Sequence, residues 1–308
     1  MYLYQLNYPV QEKEICFLEM KRMFKQVPIS HFVCSELCFE AGRSVYFKSR
    51  LDILFQSDSL ENLCFAIQEA ALSYDLFKVI YLKSDEDTLT YEERLFSLKQ
   101  VAKTILGTHA LSDPKYYLGV VFTNGIWYFG LVAKDHQSWQ QRQHKPQSYS
   151  QSLSARIART LVNIASCGDL SCHMIDPCCG VGTVVLEALS MGHYIAGSDI
   201  HRGICWKANR NLEYFGYPTL IQNCDIAAIG EYYDACILDI PYNLYSSITP
   251  EQQLAILHHT FRIADVLVLI SHEDLSEQVN QVGWVINENC LVGKMKFKRY
   301  VYVCKKII

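Results

Sequence analysis

What the chain lacks narrows its function before any motif does. Its start, "MYLYQLNYPVQEKE", has no basic opening, no long apolar run and no small-residue cleavage site, and does not read as a signal peptide. The longest apolar runs, such as "ADVLVLI" over 264–270, have strand length and fall far short of a membrane span, so a cytoplasmic protein is expected. There is no surplus of positive charge: 28 Lys and Arg against 32 Asp and Glu leave −4, so any nucleic-acid contact must come from a local patch. Cysteine is abundant at 13 residues, but the set is scattered, odd in number and without the spacing of a disulfide framework. These cysteines read as reduced thiols used as small buried hydrophobes. Cys34-Ser-Glu-Leu-Cys38 and the adjacent Cys178-Cys179 are followed by no second pair at ligand spacing, so no metal site is expected.

What is present is a folded chain. Half of its 308 residues are apolar, 20 are Tyr and 14 Phe, enough for about two domains with cores of their own. The stretch "KDHQSWQQRQHKPQSYSQS" is polar, glutamine-rich and free of aliphatics; it divides the chain into residues 1–135, a linker over 136–152, and residues 153–308. The first part mixes strands and helices, an α+β pattern. "YLYQLNY" alternates as a strand, "EKEICFLEMKRMF" has helical spacing, and "YYLGVVFTNGIWYFGLVAK" reads as a hairpin turning on Asn124-Gly125. "TYEERLFSLKQVAKTILG" begins acidic, is amphipathic and stops at a glycine, as helices do. Nothing in residues 1–135 looks catalytic.

After the linker, strands and helices alternate from "SARIARTLVNIAS" to "VLVLISH", and the chain closes with two strands and no helix between them. Such alternation predicts a doubly wound, mostly parallel sheet finished by an antiparallel hairpin. Ligands bind at the carboxyl ends of the strands in sheets of this kind. Asp176, Asp199, Asp225 and Asp239 end four candidate strands. One aspartate at a strand end is commonly a turn or cap residue; four in succession beside a glycine loop mark a binding edge. In "DPCCGVGTVVLEA", Gly180 and Gly182 permit a tight turn and close backbone approach, and Thr183 opens a helix whose free N–H groups favour an anion or carboxylate. The dinucleotide fingerprint is absent, because its third glycine is replaced by Val185. A smaller ligand is indicated. Asp199 is where a carboxylate takes ribose hydroxyls, and Asp225 can accept from an exocyclic amino group such as that of adenine.

The series "IDPCCGVGT…GSDI…NCDI…DIPY" resembles the class I S-adenosylmethionine-dependent methyltransferases that modify exocyclic amino groups. The resemblance implies a Rossmann-like α/β domain with a mostly parallel seven-stranded sheet. It implies that Asp176, Pro177, Gly180, Gly182 and Thr183 hold the methionine part of S-adenosylmethionine, Asp199 and Ile200 the ribose, and Asp225 and Ile226 the adenine. Tyr149 and Ser150, just before the first helix of that domain, are further candidates for the methionine end.

An amino group on an aromatic ring is a poor nucleophile, because its lone pair is delocalised. A site can help by accepting hydrogen bonds from its protons and aligning the nitrogen with the methyl group. Asp239-Ile-Pro-Tyr supplies those parts: the Asp239 carboxylate accepts, Pro241 fixes a turn that aims the carbonyl of Ile240, and the Tyr242 ring stacks on a flipped-out base. Over about 144–245, with "HKPQSYSQSLSARIARTLVNIAS" leading into the glycine loop, the chain is similar to the THUMP-containing tRNA guanine-N2 methyltransferases of archaea and eukaryotes. That similarity implies a tRNA substrate, methylation of guanosine 10, and a THUMP-like RNA-binding region at residues 1–135. The family usually reads Asp-Pro-Pro-Tyr-Gly, whereas Ile240 and Asn243 stand here; Asn-Ile-Pro-Tyr occurs in rRNA adenine-N6 dimethylases. Adenine in RNA or DNA and a glutamine amide are therefore rival substrates, and a catalytically silent RNA-binding module is the rival from another class. RNA contacts would come from Lys294, Lys296, Lys298 and Arg299, or from Arg156 and Arg159; "KMKFKR" also suits the solvent face of an edge strand.

Overall fold

The computed structural model describes residues 1–28, 30–84, 87–134, 138–148, 152–241, 248–293 and 298–306. In chain order the elements of its first half are β1 (Tyr2–Leu6), α1 (Lys13–Phe24), β2 (Phe32–Ser35), β3 (Phe47–Ser57), α2 (Leu60–Glu69), β4 (Phe77–Tyr81), α3 (Tyr91–Lys103), β5 (Tyr116–Thr123) and β6 (Ile126–Lys134). The second half contributes α4 (Ala155–Ser166), β7 (Met174–Asp176), α5 (Thr183–Ser190), β8 (Ile195–Asp199), α6 (Arg202–Tyr214) and β9 (Ile221–Asn223). It continues with β10 (Tyr233–Asp239), α7 (Pro250–Ile263), β11 (Ala264–Ser271), α8 (Ser276–Val282), β12 (Trp284–Val292) and β13 (Arg299–Lys306). No helix among the described residues is long and apolar enough to cross a membrane.

One compact unit comprises Met1–Asn7 with Pro28–His136, the other Tyr8–Val27 with Gln137–Ile308. The first is a six-stranded sheet in the order β2-β1-β3-β6-β5-β4. Leu63 and Ile67 of α2 and Val101 of α3 pack on Phe77, Leu118, Val120 and Phe129. Leu3, Phe32, Leu51 and Val121 form a second cluster. The expected hairpin turns where expected: Thr123 pairs Ile126, and Asn124 (φ 52°) and Gly125 (φ 78°) take the left-handed conformations that a two-residue type I′ turn needs. Helix α3 opens with a reciprocal capping box between Thr90 and Glu93. Helix α2, capped by Ser59 on the N–H of Asn62, was not anticipated from the sequence.

A single cut near residue 135 does not describe the packing. Helix α1 belongs with the second unit, where it lies against α4 and β12. The reason is polar as well as apolar: Asn163 Nδ2 donates to Glu19 Oε1 at 2.6 Å, both residues fully buried, and Lys21 pairs with Glu288 at 2.8 Å. The linker reading changes too. Ser138–Gln143 forms a short 3₁₀ helix that docks on α4; Trp139 and Arg142 are buried, and Arg142 Nε meets Glu187 Oε1 at 2.8 Å.

The second unit carries a seven-stranded sheet ordered β12-β13-β11-β10-β7-β8-β9. Strands β7 to β11 are parallel, and β13 runs antiparallel between β11 and β12. Alternate residues point to opposite faces, so Cys236, Leu238, Leu267, Leu269, Tyr302 and Cys304 join the core under α7 and α8, while Ile237, Val268, Ile270, Val301 and Val303 fill the other face. The chain order reverses between β7 and β10. A crevice at the carboxyl ends of these strands is where open α/β sheets bind ligands.

Candidate active site

Asp176 ends β7, and the loop that follows is held by backbone and side-chain bonds rather than by packing alone. Cys179 N donates to Ser198 O at 2.9 Å, Gly182 N to Cys179 O at 2.8 Å, and Ser198 Oγ to Pro177 O at 3.3 Å. Gly180 (φ 52°) and Gly182 (φ 79°) both need left-handed backbone; a Cβ on Gly180 would meet only open space, so its backbone can be approached closely. A Cβ on Gly182 would lie 3.3 Å from the Cβ of Ala208, so this glycine also lets α5 and α6 come together.

The four acidic strand ends divide into two pairs. Asp199 and Asp225 hold backbone. Asp199 Oδ2 accepts from Gly180 N at 3.1 Å and Oδ1 from His201 N at 2.9 Å, and Asp225 Oδ1 accepts from Ala227 N at 2.9 Å as the cap of a 3₁₀ turn. Asp176 and Asp239, on the two strands that flank the reversal point, each keep a buried Oδ1 without a hydrogen-bond partner among the described residues. Burial pushes the Asp176 carboxyl well above its ordinary range, and the Asp239 charge adds to this. Burial also raises Asp239, to about 6, against the pull of the Arg299 guanidinium. A carboxylate with a free oxygen at a crevice can accept hydrogen bonds from an incoming amine.

The residues around Asp239 are firmly set. Ile240 N donates to Ile270 O at 3.2 Å and the Ile240 side chain is buried in the core under α7, so the departure at this position does not line the acceptor side. Gln253 Nε2 donates to Pro241 O at 3.5 Å. Tyr242, Asn243, Tyr149 and Ser150 lie outside the described residues, as do Lys294 and Lys296. Ile200 is exposed beside Asp199, whereas the Ile226 side chain turns into the core.

Two expectations about basic residues are corrected. Arg156 pairs with Glu12 at 2.6 Å, and Arg159, buried, with Glu187 at 3.0 Å, so both are committed to internal ion pairs. Arg299 begins β13, an interior strand rather than an edge, and its Nε donates to His272 Nε2 at 3.1 Å.

Two functional candidates were missed. Lys145, from the presumed linker, donates to Thr183 Oγ1 at 2.9 Å at the opening of α5. Asn211, fully buried, donates to Val181 O at 3.0 Å and Gln147 O at 2.9 Å, tying that linker to the glycine loop. Asn211 had a signal, a polar residue on the apolar stripe of α6 with Cys205, Ala208 and Leu212; Lys145 had none.

Residues 142–265 match the family described as RMKL-like, methyltransferase domain. The second unit has a Rossmann-like α/β fold. The chain is 30% identical over 128 residues to the tRNA (guanine(10)-N2)-dimethyltransferase of Methanothermobacter thermautotrophicus, covering 40% of this chain and 37% of that one. It is 29% identical over 148 residues to the protein of the same name from Pyrococcus abyssi, covering 45% and 44%. It thus spans less than half the length of the curated relatives it matches. The crystal structure of TrmN from Thermus thermophilus aligns over 99% of both chains with a TM-score of 0.50 at 14% identity, a likeness of fold.

Proposed function

We propose that the chain is an S-adenosylmethionine-dependent tRNA methyltransferase of the cytoplasm, acting on an exocyclic base amine, guanine N2. One observation carries the reading: a buried carboxylate oxygen on Asp239, without a partner among the described residues, at the reversal point of the sheet and beside a glycine loop with room over Gly180. The relatives' name, tRNA (guanine(10)-N2)-dimethyltransferase, supports the choice of tRNA and of guanine.

The residues present fit the cofactor. The orphaned Asp176 oxygen suits its α-ammonium group, the backbone at Gly180 its chain, Asp199 its ribose, and Asp225 its adenine amine. S-adenosylmethionine, when bound, supplies an electrophilic methyl group. Asp239 would accept hydrogen bonds from the amine protons, orient the nitrogen lone pair and receive the proton that the nitrogen gives up; above about pH 6 the carboxylate is ionised for this task. Pro241 and Tyr242 follow it in the sequence, and by the resemblance of Asp239-Ile-Pro-Tyr to the amine-methylating families Tyr242 is assigned to receive the base. The first unit is read as a THUMP-like region that grips the tRNA.

The test is nucleoside mass spectrometry of a tRNA transcript incubated with the purified chain and cofactor. Methylguanosine is expected from the native chain; Asp239→Ala is expected to lose turnover while still binding cofactor by calorimetry. Methyladenosine as the product would overturn the choice of base, and wild-type turnover by Asp239→Ala would overturn the role of Asp239.

A further inference from the structure

The glycine loop is flanked by charges of opposite sign. Asp176 precedes it, 3% exposed, with one carboxylate oxygen lacking a partner among the described residues. Lys145 follows it in space, with Nζ on Thr183 Oγ1 at 2.9 Å where α5 begins. An ammonium has three donors, and among the described residues Lys145 spends one. Glu187, whose charge acts on Lys145, is already engaged: Oε1 accepts from Arg142, and Oε2 from both Arg142 and Arg159. Both Glu187 oxygens are thus taken by the two arginines, beside the positive end of a helix. The donors that Lys145 has not spent among the described residues suit one more anion, at the end of the loop opposite Asp176.

We infer that Lys145 binds the α-carboxylate of the cofactor's amino-acid end, while Asp176 takes the α-ammonium from the other side of the loop. This rests on the cofactor reading proposed above and adds a residue and a polarity to it. A zwitterionic α-amino acid is the group that satisfies both flanks at once; a neutral or purely cationic ligand leaves Lys145 unanswered. Burial lowers the Lys145 pKa while Glu187 raises it, so a bound carboxylate would restore to the ammonium the counter-charge that solvent cannot supply there. The contact also gives the docked 138–148 segment a purpose: Asn211 and Arg142 anchor it on either side of Lys145, so the ammonium is held in place before the ligand arrives.

Calorimetry of the full chain with two probes isolates the contact. S-adenosylmethionine carries the carboxylate; decarboxylated S-adenosylmethionine keeps the ammonium and lacks it. The native chain is expected to prefer the first by about 10- to 100-fold, the range of one charge-assisted hydrogen bond, and Lys145→Ala to bring that ratio near one. Lys145→Gln, which keeps a donor for Thr183 without the charge, is expected to lose the preference as well, and Lys145→Arg to regain most of it. The ratio within one variant is independent of any general loosening of the site. An unchanged ratio in Lys145→Ala or Lys145→Gln, or equal loss of both ligands, would overturn the assignment. If the native chain bound neither probe, the cofactor reading itself would fall, a result distinct from either.

Discussion

Replacing Asp239 by asparagine should make the protein more stable and less active, and the gain should depend on pH in a defined direction. Burial raises the folded-state pKa of Asp239 from 3.8 to about 6. An acid whose pKa rises on folding costs stability wherever the unfolded chain has lost its proton and the folded chain must follow. The cost is absent well below pH 4, grows between about 4 and 6, and is complete above about 6. The shift corresponds to at most about 3 kcal/mol at pH 7.5 and roughly half of that at pH 5. Asp239 is only partly buried, so solvent screening reduces the expected gain at pH 7.5 to about 1–2 kcal/mol. Asp176 contributes with the same sign, because its own raised pKa owes part of its elevation to the charge on Asp239. Urea unfolding of the native chain and Asp239→Asn at pH 7.5 and pH 5, followed by tryptophan fluorescence, measures the difference. Trp284, fully buried under α7 and bonded through Nε1 to Thr260 Oγ1 at 3.3 Å, reports on this unit. Any fixed cost of the new amide cancels between the two pH values. A stability change that is the same at both, or larger at pH 5, would refute the reasoning; turnover should fall at both.

Other perturbations probe the supports of the site. Gly182→Ala forces a side chain into left-handed backbone with its Cβ 3.3 Å from Ala208, which should cost about 1–2 kcal/mol in unfolding experiments and weaken cofactor binding by displacing Thr183. Glu187→Gln removes the charge that Arg142 and Arg159 share; a loss of about 3–5 kcal/mol is expected, with faster hydrogen exchange over 138–148. In the first unit, Gly130→Ala would put a Cβ 1.9 Å from Asp52 O, so the β3–β6 pairing should fail and circular dichroism should show strand loss. Because the α-ammonium pulls down the raised pKa of Asp176, proton release on binding S-adenosylmethionine, read from the dependence of the calorimetric enthalpy on the buffer's ionisation heat, should be greater in the native chain than in Asp176→Asn.

Much of the second unit was legible because its signals are local. Strand β10 reads "YDACILD", a continuous apolar run, since it is covered on both faces; α7 announces itself with Thr249, Pro250 and Gln252 in a capping box. The acidic strand ends and the glycine loop followed from position alone. Helix α1 was legible as a helix but not as part of the second unit, because the buried Glu19–Asn163 pair that holds it there joins residues 144 apart. The basic candidates Arg156 and Arg159 failed for the same reason: their acidic partners are distant in the chain.

The sequence by itself determined the alternation of strands and helices, the apolar strands that build the sheet, and the acids at their ends. Those properties depend on neighbours one to four residues away. Only the tertiary structure decided how each acid is held. Asp199 and Asp225 accept from backbone N–H groups, while Asp176 and Asp239, on the strands flanking the reversal point, each have an Oδ1 with no hydrogen-bond partner among the described residues. Only the fold brought Lys145 onto Thr183 as well, because a long flexible side chain in a polar segment has no pattern of its own until a helix end gives it an acceptor.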